Sequence, residues 1–371
     1  MDKSVSIVIP TYNERDNITP LVQRLSQSLT GYKYDIIFVD DDSKDGTAEA
    51  ASELKTDYPL DVMVRKGKKG LASAVVDGIA ATRGDVIAVM DADLQHPPEV
   101  LPELLKAIAG GADIAVASRY VPGGGCQGWG FIRRLISRGA IFISQLFLPL
   151  TRKVKDPMSG FFVIDREVTA GVCLDPCGFK ILLEILMLGK YQKVAEVPFT
   201  FVTRQMGDSK LSARQQIDYL RHVLSLMLRC GELTRFVKFC VVGLSGVGVN
   251  YGLYWMLTRF AGFAPLDDAA AGGILSGNLA MAISIETSII TNFILNNYFT
   301  FADRNVRGAK AFIKRLVNFN LICLIGGLIQ IGVANLFAVT FGIYDLIAVL
   351  AGIAVATLWN FLLNNWWTWR R

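Results

Sequence analysis

The sequence predicts two parts of different class: an α/β domain built on a mostly parallel sheet, then an all-α domain of four membrane spans. Three observations predict it. Through about residue 230, short apolar runs alternate with segments of helical periodicity. From about Phe236 onward the apolar runs lengthen to ~20 residues, the length that crosses a hydrocarbon core. With 52% hydrophobic and 19% charged side chains, the 371-residue chain is also too apolar for two ordinary soluble domains.

The strand candidates lie at 5–9, 34–39, 62–64, 86–90 and 114–117, each continuous, apolar and short. Segments 18–29, 47–54, 71–81 and 99–109 carry helical periodicity, and Pro97 and Pro98 suit the start of the last. Strands separated by helix-length segments imply parallel pairing through right-handed crossovers. The polar residues after each strand then converge on one sheet edge, where open α/β sheets form their ligand crevice. They are Pro10, Thr11, Tyr12, Asn13 and Glu14; Asp40, Asp41, Asp42 and Ser43; Asp91, Asp93 and Gln95; and Ser118, Arg119 and Tyr120.

Asp91-Ala92-Asp93, with Gln95 close behind, is the most telling of these groups. Two carboxylates held that close repel unless a cation lies between them. Hard oxygen ligands suit Mg²⁺ or Mn²⁺, and such an ion would serve to neutralise a diphosphate. The plain alternative is that one of the pair caps the following helix. His96 follows directly but reads as a loop residue, not an acid or base. Common nucleotide fingerprints are absent: Gly67-Lys68-Lys69-Gly70 lacks the P-loop spacing, and Gly123-Gly124-Gly125 lacks the dinucleotide pattern.

The four spans are expected at 236–257, 273–298, 316–341 and 346–367. They repeat. Asn292-Phe293-Ile294-Leu295-Asn296-Asn297 closes the second span and Asn360-Phe361-Leu362-Leu363-Asn364-Asn365 the fourth, while Arg235-Phe236-Val237-Lys238-Phe239 opens the first and Arg315-Leu316-Val317-Asn318-Phe319 the third. The module is therefore a duplicated helical hairpin, and the aromatics beside its paired asparagines suit an interfacial belt. Glu286, deep in a span, implies either function or pairing with a neighbouring helix.

The net charge of +5 is concentrated at span ends. Arg221, Arg229, Arg235 and Lys238 precede the first span; Arg304, Arg307, Lys310, Lys314 and Arg315 lie between the second and third; Arg370 and Arg371 end the chain. The opposite loops hold Arg259, Asp267, Asp268 and Asp345. By the positive-inside rule, the first domain, the middle loop and the carboxyl terminus face the cytoplasm of a plasma membrane. No secretory signal is visible. Basic residues that flank spans without interleaved stacking aromatics exclude a nucleic-acid partner. Cys126, Cys173, Cys177, Cys230, Cys240 and Cys323 lack zinc spacing and are expected as free thiols. Segments 131–150 and 213–228 are amphipathic, with Arg133, Arg134, Arg138, Arg214 and Arg221 on their polar faces, as for helices lying on a membrane surface. The expected division is a catalytic domain at 1–211, an interfacial linker at 212–234 and the membrane domain at 235–371.

Ile9-Pro10-Thr11-Tyr12-Asn13-Glu14, Val39-Asp40-Asp41-Asp42-Ser43 with Asp45-Gly46-Thr47, and Lys69-Gly70-Leu71-Ala72 stand in the order of family-2 glycosyltransferases, which the first part resembles. Asp156-Pro157-Met158-Ser159-Gly160-Phe161-Phe162, Gly178-Phe179-Lys180 and Arg204-Gln205-Met206-Gly207-Asp208-Ser209-Lys210 narrow the resemblance to polyprenol-phosphate hexose synthases, most closely the archaeal-type dolichol-phosphate mannose synthases. The membrane half resembles the four-span GtrA-type domain.

The resemblance implies a GT-A fold and inverting transfer of mannose from GDP-mannose to dolichyl or polyprenyl phosphate. Pro10, Tyr12, Glu14, Val39 and Asp41 would then hold base and ribose, with Ala92 beside them. Asp91, Asp93 and Gln95 would coordinate Mg²⁺ or Mn²⁺ on the diphosphate. Arg119, Arg133, Lys180, Arg204 and Lys210 would serve the two phosphates, Arg119 and Arg133 with Ser137 on the lipid side. Asp91, Asp93, Arg119 and Arg133 would be catalytic. Against these roles, Glu14 also suits a helix first turn, and Arg133 a solvated interfacial position. Glucose from UDP-glucose, or a membrane half that flips lipid-linked sugar, remain as alternatives. A phosphate acceptor has its second pKa near ~6 and needs no general base at neutral pH.

Overall fold

In the computed structural model, residues 3–67, 70–176, 178–202, 213–263, 271–304 and 308–370 are described. Lys68, Lys69, Cys177, Arg204, Lys210, Asp267, Asp268, Arg307 and Arg371 lie outside them, as does the side chain of Arg214.

β1 (Val5–Thr11), β2 (Tyr34–Asp40), β3 (Leu60–Val64) and β4 (Val86–Val89) are parallel and joined by α1 (Arg15–Ser28), α2 (Thr47–Glu53) and α3 (Leu71–Ala81). Every residue of β1 is buried because helices cover both faces of the sheet. Val5, Ile7 and Ile9 share one core with α1 and α4 (Leu101–Ala109); Val8 shares the other with α3 and α6 (Ile181–Leu188). Gly78 of α3 lies so close to the sheet that a Cβ there would stand 2.4 Å from Val8 Cγ1.

Among the described residues the sheet has seven strands in the order β3-β2-β1-β4-β7-β5-β8. β5 (Ile114–Ser118) was expected. β7 (Phe162–Asp165) and β8 (Val194–Pro198) were not. β7 runs antiparallel between β4 and β5, and β8 lies parallel to β5 at the edge. Two consequences position the site. Because β7 is reversed, the residues just before it arrive at the carboxyl end of β4. Because β8 is parallel, the residues just after it arrive at the same edge, where β6 (Gly125–Cys126) and β9 (Thr200–Phe201) form a small second sheet.

Two amphipathic helices follow the expected segments, α5 (Phe131–Phe147) and α7 (Ala213–Arg229). The chain divides into compact units at 1–230 and 231–371. α7 packs within the first: Tyr219 Oη donates to the Ala140 carbonyl at 2.6 Å, and Arg229 pairs with buried Glu184 of α6.

The second unit contains α8 (Glu232–Phe260), α9 (Ala271–Leu295), α10 (Ala309–Asn335) and α11 (Asp345–Leu363). Among the described residues, four helical stretches are long and apolar enough to cross a membrane: Glu232–Phe260, Asn278–Thr300, Ala309–Thr340 and Ile347–Thr368. The duplication is visible in the packing. A Cβ on Gly246 would stand 2.2 Å from Asn292, and one on Gly326 would stand 2.3 Å from Asn360. Each hairpin therefore closes on the same glycine–asparagine contact, with each asparagine run continuing into a π-helical turn.

The asparagines themselves are inside the bundle. Tyr298, Phe299, Trp366 and Trp367 are exposed as an interfacial belt requires, but Asn296, Asn297, Asn364 and Asn365 are buried. Arg304 bonds Asn365 and the Trp369 carbonyl and pairs with Glu232 at 3.1 Å; Arg315 donates to the Arg304 carbonyl at 2.8 Å. These two arginines thus brace the bundle, which is why they are buried at the end of an otherwise apolar domain. Glu286 takes the pairing alternative: Asn320 Nδ2 of α10 donates to it at 2.8 Å. The five described cysteines are free thiols.

Candidate active site

Beyond β4 the chain turns sharply through Asp91 to His96, with Leu94 at φ 60, a left-handed conformation that costs a leucine ~1–2 kcal/mol. Asp91 and Asp93 are half-buried; Ala92 is buried between them. The Asp93 carboxylate accepts from the Gln95 backbone N–H at 3.2 Å. Gln95 Nε2 donates to the Val202 carbonyl at 2.9 Å, which assigns its remaining amide atom, Oε1, as the one that can ligate a cation. Two carboxylates and an amide oxygen fit an oxygen-preferring ion that keeps water or substrate oxygens in its other positions.

His96 holds this turn in place. It is buried among Phe161, Phe199 and Phe201, and its Nδ1 accepts the Asp91 backbone N–H at 3.1 Å. Burial, with the nearby Arg119 and Lys180 cations, pushes its pKa down to about 4 against the opposing pull of Asp93 and Asp156. A neutral ring locked as an acceptor is a brace, not a proton carrier. Gly160, delivered by β7, completes the turn: a Cβ there would lie 3.3 Å from Asp91 Oδ2 and 3.3 Å from His96 Cε1. Gly160→Ala is therefore expected to displace the Asp91 carboxylate and weaken binding of a divalent ion at this turn about 10- to 100-fold, as for other groups that orient ligands. Titration of the wild type and the variant with Mn²⁺ checks this.

Arg119, at the end of β5, is buried and bound by fully buried Asp156. Its backbone N–H, Nε and Nη2 all donate to that carboxylate, at 3.0, 2.7 and 2.7 Å. The pairing leaves Nη1 as the guanidinium edge that can meet a substrate phosphate. The Arg119 guanidinium also lies 5.4 Å over the Trp129 ring, and the Arg133 guanidinium lies 4.4 Å from the same ring. Trp129 thus joins two of the expected cations through cation–π contacts. Ser137 accepts from Tyr120 Oη at 2.8 Å. Lys180, at the start of α6, donates to the Met158 carbonyl at 2.8 Å. Burial and then the Arg119 charge push the pKa of Lys180 down to about 8, with Asp91 and Asp156 opposing. Asp91, Asp93, His96, Arg119, Asp156 and Lys180 therefore form one electrostatically coupled group.

The ends of β1 and β2 form the other side of the edge. Pro10 lies opposite Val39 in parallel register, and the Val39 side chain is in the core, so Val39 can offer a ligand only its backbone. Tyr12 is 39% exposed. Asn17 Nδ2 donates to the Glu14 carboxylate at 2.7 Å, so Glu14 does take part in the first turn of α1. Asp41 is buried and bound to Arg65 and to the Gly70 backbone N–H. Asp156, Trp129, Gly160 and Arg65 were not among the candidate site residues. Asp156 and Gly160 stand within the quoted motifs; Trp129 and Arg65 carry no sequence signal that separates them from surface or loop residues.

A dolichol-phosphate mannosyltransferase of Pyrococcus furiosus is 45% identical over 365 residues, covering 98% of this chain and 99% of that protein. The chain belongs to the dolichol-phosphate mannosyltransferase family. Proteins of the same description from Mycosarcoma maydis and Saccharomyces cerevisiae are 40% and 38% identical over 60% and 64% of this chain, and over 79% and 94% of their own lengths. Residues 6–172 match the family model "Glycosyl transferase family 2", and residues 238–369 match "GtrA/DPMS, transmembrane domain". The chain is thus a glycosyltransferase with a GT-A-like first domain, and it is a membrane protein. Among solved structures, glucosyl-3-phosphoglycerate synthase of Mycobacterium tuberculosis aligns with a TM-score of 0.48 at 20% identity, over 62% of this chain and 81% of its own.

Proposed function

We propose that the enzyme transfers mannose from GDP-mannose to a dolichyl or polyprenyl phosphate with inversion, on the cytoplasmic face of a plasma membrane. The observation that carries this reading is the coupled group at the end of β4: acidic oxygens of Asp91 and Asp93 beside buried Arg119 and half-buried Lys180. Such an arrangement suits two phosphates brought together, one leaving with the donor and one attacking from the acceptor. Asp91, Asp93 and Gln95 would hold Mg²⁺ or Mn²⁺, and a bound divalent ion supplies Lewis-acid charge at the donor diphosphate. His96 is engaged as an acceptor, which fits an acceptor that is already anionic at neutral pH. Tyr12 would stack on the base, Glu14 and Asp41 would accept from donor N–H or O–H groups, and Arg119, Arg133 and Ser137 would orient the lipid phosphate. Arg204 and Lys210 complete the proposed phosphate set from sequence resemblance.

A lipid acceptor requires the first domain to touch the bilayer. α5 exposes Phe131, Ile132 and Leu135, and α7 exposes Leu220, Leu224 and Leu228. Exposed apolar rows with arginines beside them suit the headgroup boundary. The deciding experiment incubates the protein in membranes with a panel of sugar nucleotides and polyprenyl phosphates and measures lipid-extractable product. Transfer from UDP-glucose alone would reject mannose as the sugar.

Lys180 gives this reading a pH signature. In the free enzyme it loses its proton above about pH 8. A bound diphosphate favours the charged form and raises that pKa, so binding takes up a proton above pH 8 and donor affinity falls as pH rises, by up to about tenfold per pH unit. Lys180→Arg stays charged and should flatten the profile. Donor affinity measured from pH 7 to 9 checks both; a flat wild-type profile contradicts the role of Lys180.

A further inference from the structure

The carboxylate proposed to meet the nucleotide base is not held by its own loop. Asp41 Oδ1 accepts from Nε of Arg65 at 2.7 Å and also from its Nη2, and Oδ2 accepts from the Gly70 backbone N–H at 2.7 Å. Arg65 follows β3, and its own backbone N–H donates to the Asp40 carbonyl at 2.8 Å. Its Nη1 reaches Ser73 Oγ and Asp77 Oδ2 of α3, each at 3.1 Å, and Nη2 also reaches the Gly70 carbonyl at 3.1 Å. Every N–H of the guanidinium is thereby used within the protein. Arg65 is buried and makes no use of its charge at the surface.

We propose that Arg65 is a positioning residue for the donor nucleotide, fixing the Asp41 carboxylate and the Gly70 turn to α3 as one rigid unit; this rests on the reading of Asp41 as a base or ribose contact. The geometry has three parts. Gly70, at φ 140, leads into α3 without a side-chain cap, so the start of that helix takes its orientation from Arg65 and Asp41. Two of the Asp41 acceptor positions point to Arg65 and one to Gly70, so the carboxylate meets a ligand only along its remaining direction. And the fork of a guanidinium fixes that direction in a way an ammonium cannot, because a lysine is a single point charge with rotating donors.

A role in positioning separates donor binding from chemistry. In full-length protein in membranes, Arg65→Lys is expected to raise the donor KM by about tenfold or more, the loss from one or two charge-assisted hydrogen bonds, with kcat at saturating donor and the KM for polyprenyl phosphate nearly unchanged. Ser73→Ala combined with Asp77→Asn removes the anchors on α3 but leaves the Asp41 contact. It should raise donor KM by a smaller factor, and it decides the question if Arg65→Lys fails to accumulate. Asp41→Asn is the control for the underlying reading. If that variant leaves donor KM unaltered, the assignment of Asp41 is wrong. If it raises KM while neither Arg65→Lys nor the double variant does, Asp41 stands and the positioning role of Arg65 is overturned. A fall in kcat without a change in donor KM in the Arg65 variant overturns it equally.

Discussion

Asp93→Asn is expected to lower transfer by at least ~10²–10³-fold, the loss seen when one charge-stabilising group is removed from a preorganised site. The substitution keeps shape and volume and removes only the charge. The Asp93 Oδ1 that accepts the Gln95 backbone N–H becomes an amide oxygen able to accept the same bond, so the turn after β4 has no reason to open. Folding and membrane insertion should therefore be unaltered, and the loss should lie in transfer. Circular dichroism and extraction from membranes report on the fold; transfer assayed across Mg²⁺ and Mn²⁺ concentrations, with and without a chelator, reports on the site. Full activity of the variant with metal chelated would refute the assignment of Asp91, Asp93 and Gln95.

Asp156→Leu should destabilise the first unit by ~3–5 kcal/mol, because it leaves the buried Arg119 guanidinium without a counter-charge. The cost arises from the stranded cation more than from the lost attraction. It follows that Asp156→Leu combined with Arg119→Met should recover most of the stability, since an apolar pair of similar volume carries no desolvation penalty. Transfer should not recover with it, because the proposed function assigns Arg119 to the lipid phosphate. Thermal unfolding of the two variants beside their activities separates the structural part of the pair from the catalytic part. Recovery of transfer in the double variant would remove Arg119 from the phosphate-binding set.

Much of the candidate site was legible as strand-end chemistry because local patterns carry it. A short apolar run ending in Asp91-Ala92-Asp93 places acids at a strand end whatever the rest of the chain does, and the alternation of runs before it implies parallel pairing. The four spans were legible for the same reason: length and apolarity act within one segment. Their true ends, from Glu232 and on to Thr368, extend past the apolar stretch because polar residues there are satisfied inside the bundle.

Sequence by itself thus determined the class of both parts, the acidic strand end and the duplicated hairpins, since each depends on residues near one another in the chain. Only the tertiary structure decided what those residues do together. Phe162–Asp165 was not expected as a strand, and nothing local says that it runs backwards between β4 and β5; pairing partners far away in the chain on both sides decide that. Its reversal is what brings Gly160 against Asp91 and Asp156 against Arg119. His96 as a brace, Arg65 as an anchor and the buried asparagines of the bundle are likewise decided by burial and by long-range hydrogen bonds, because a polar side chain removed from water must take whatever partner the fold supplies.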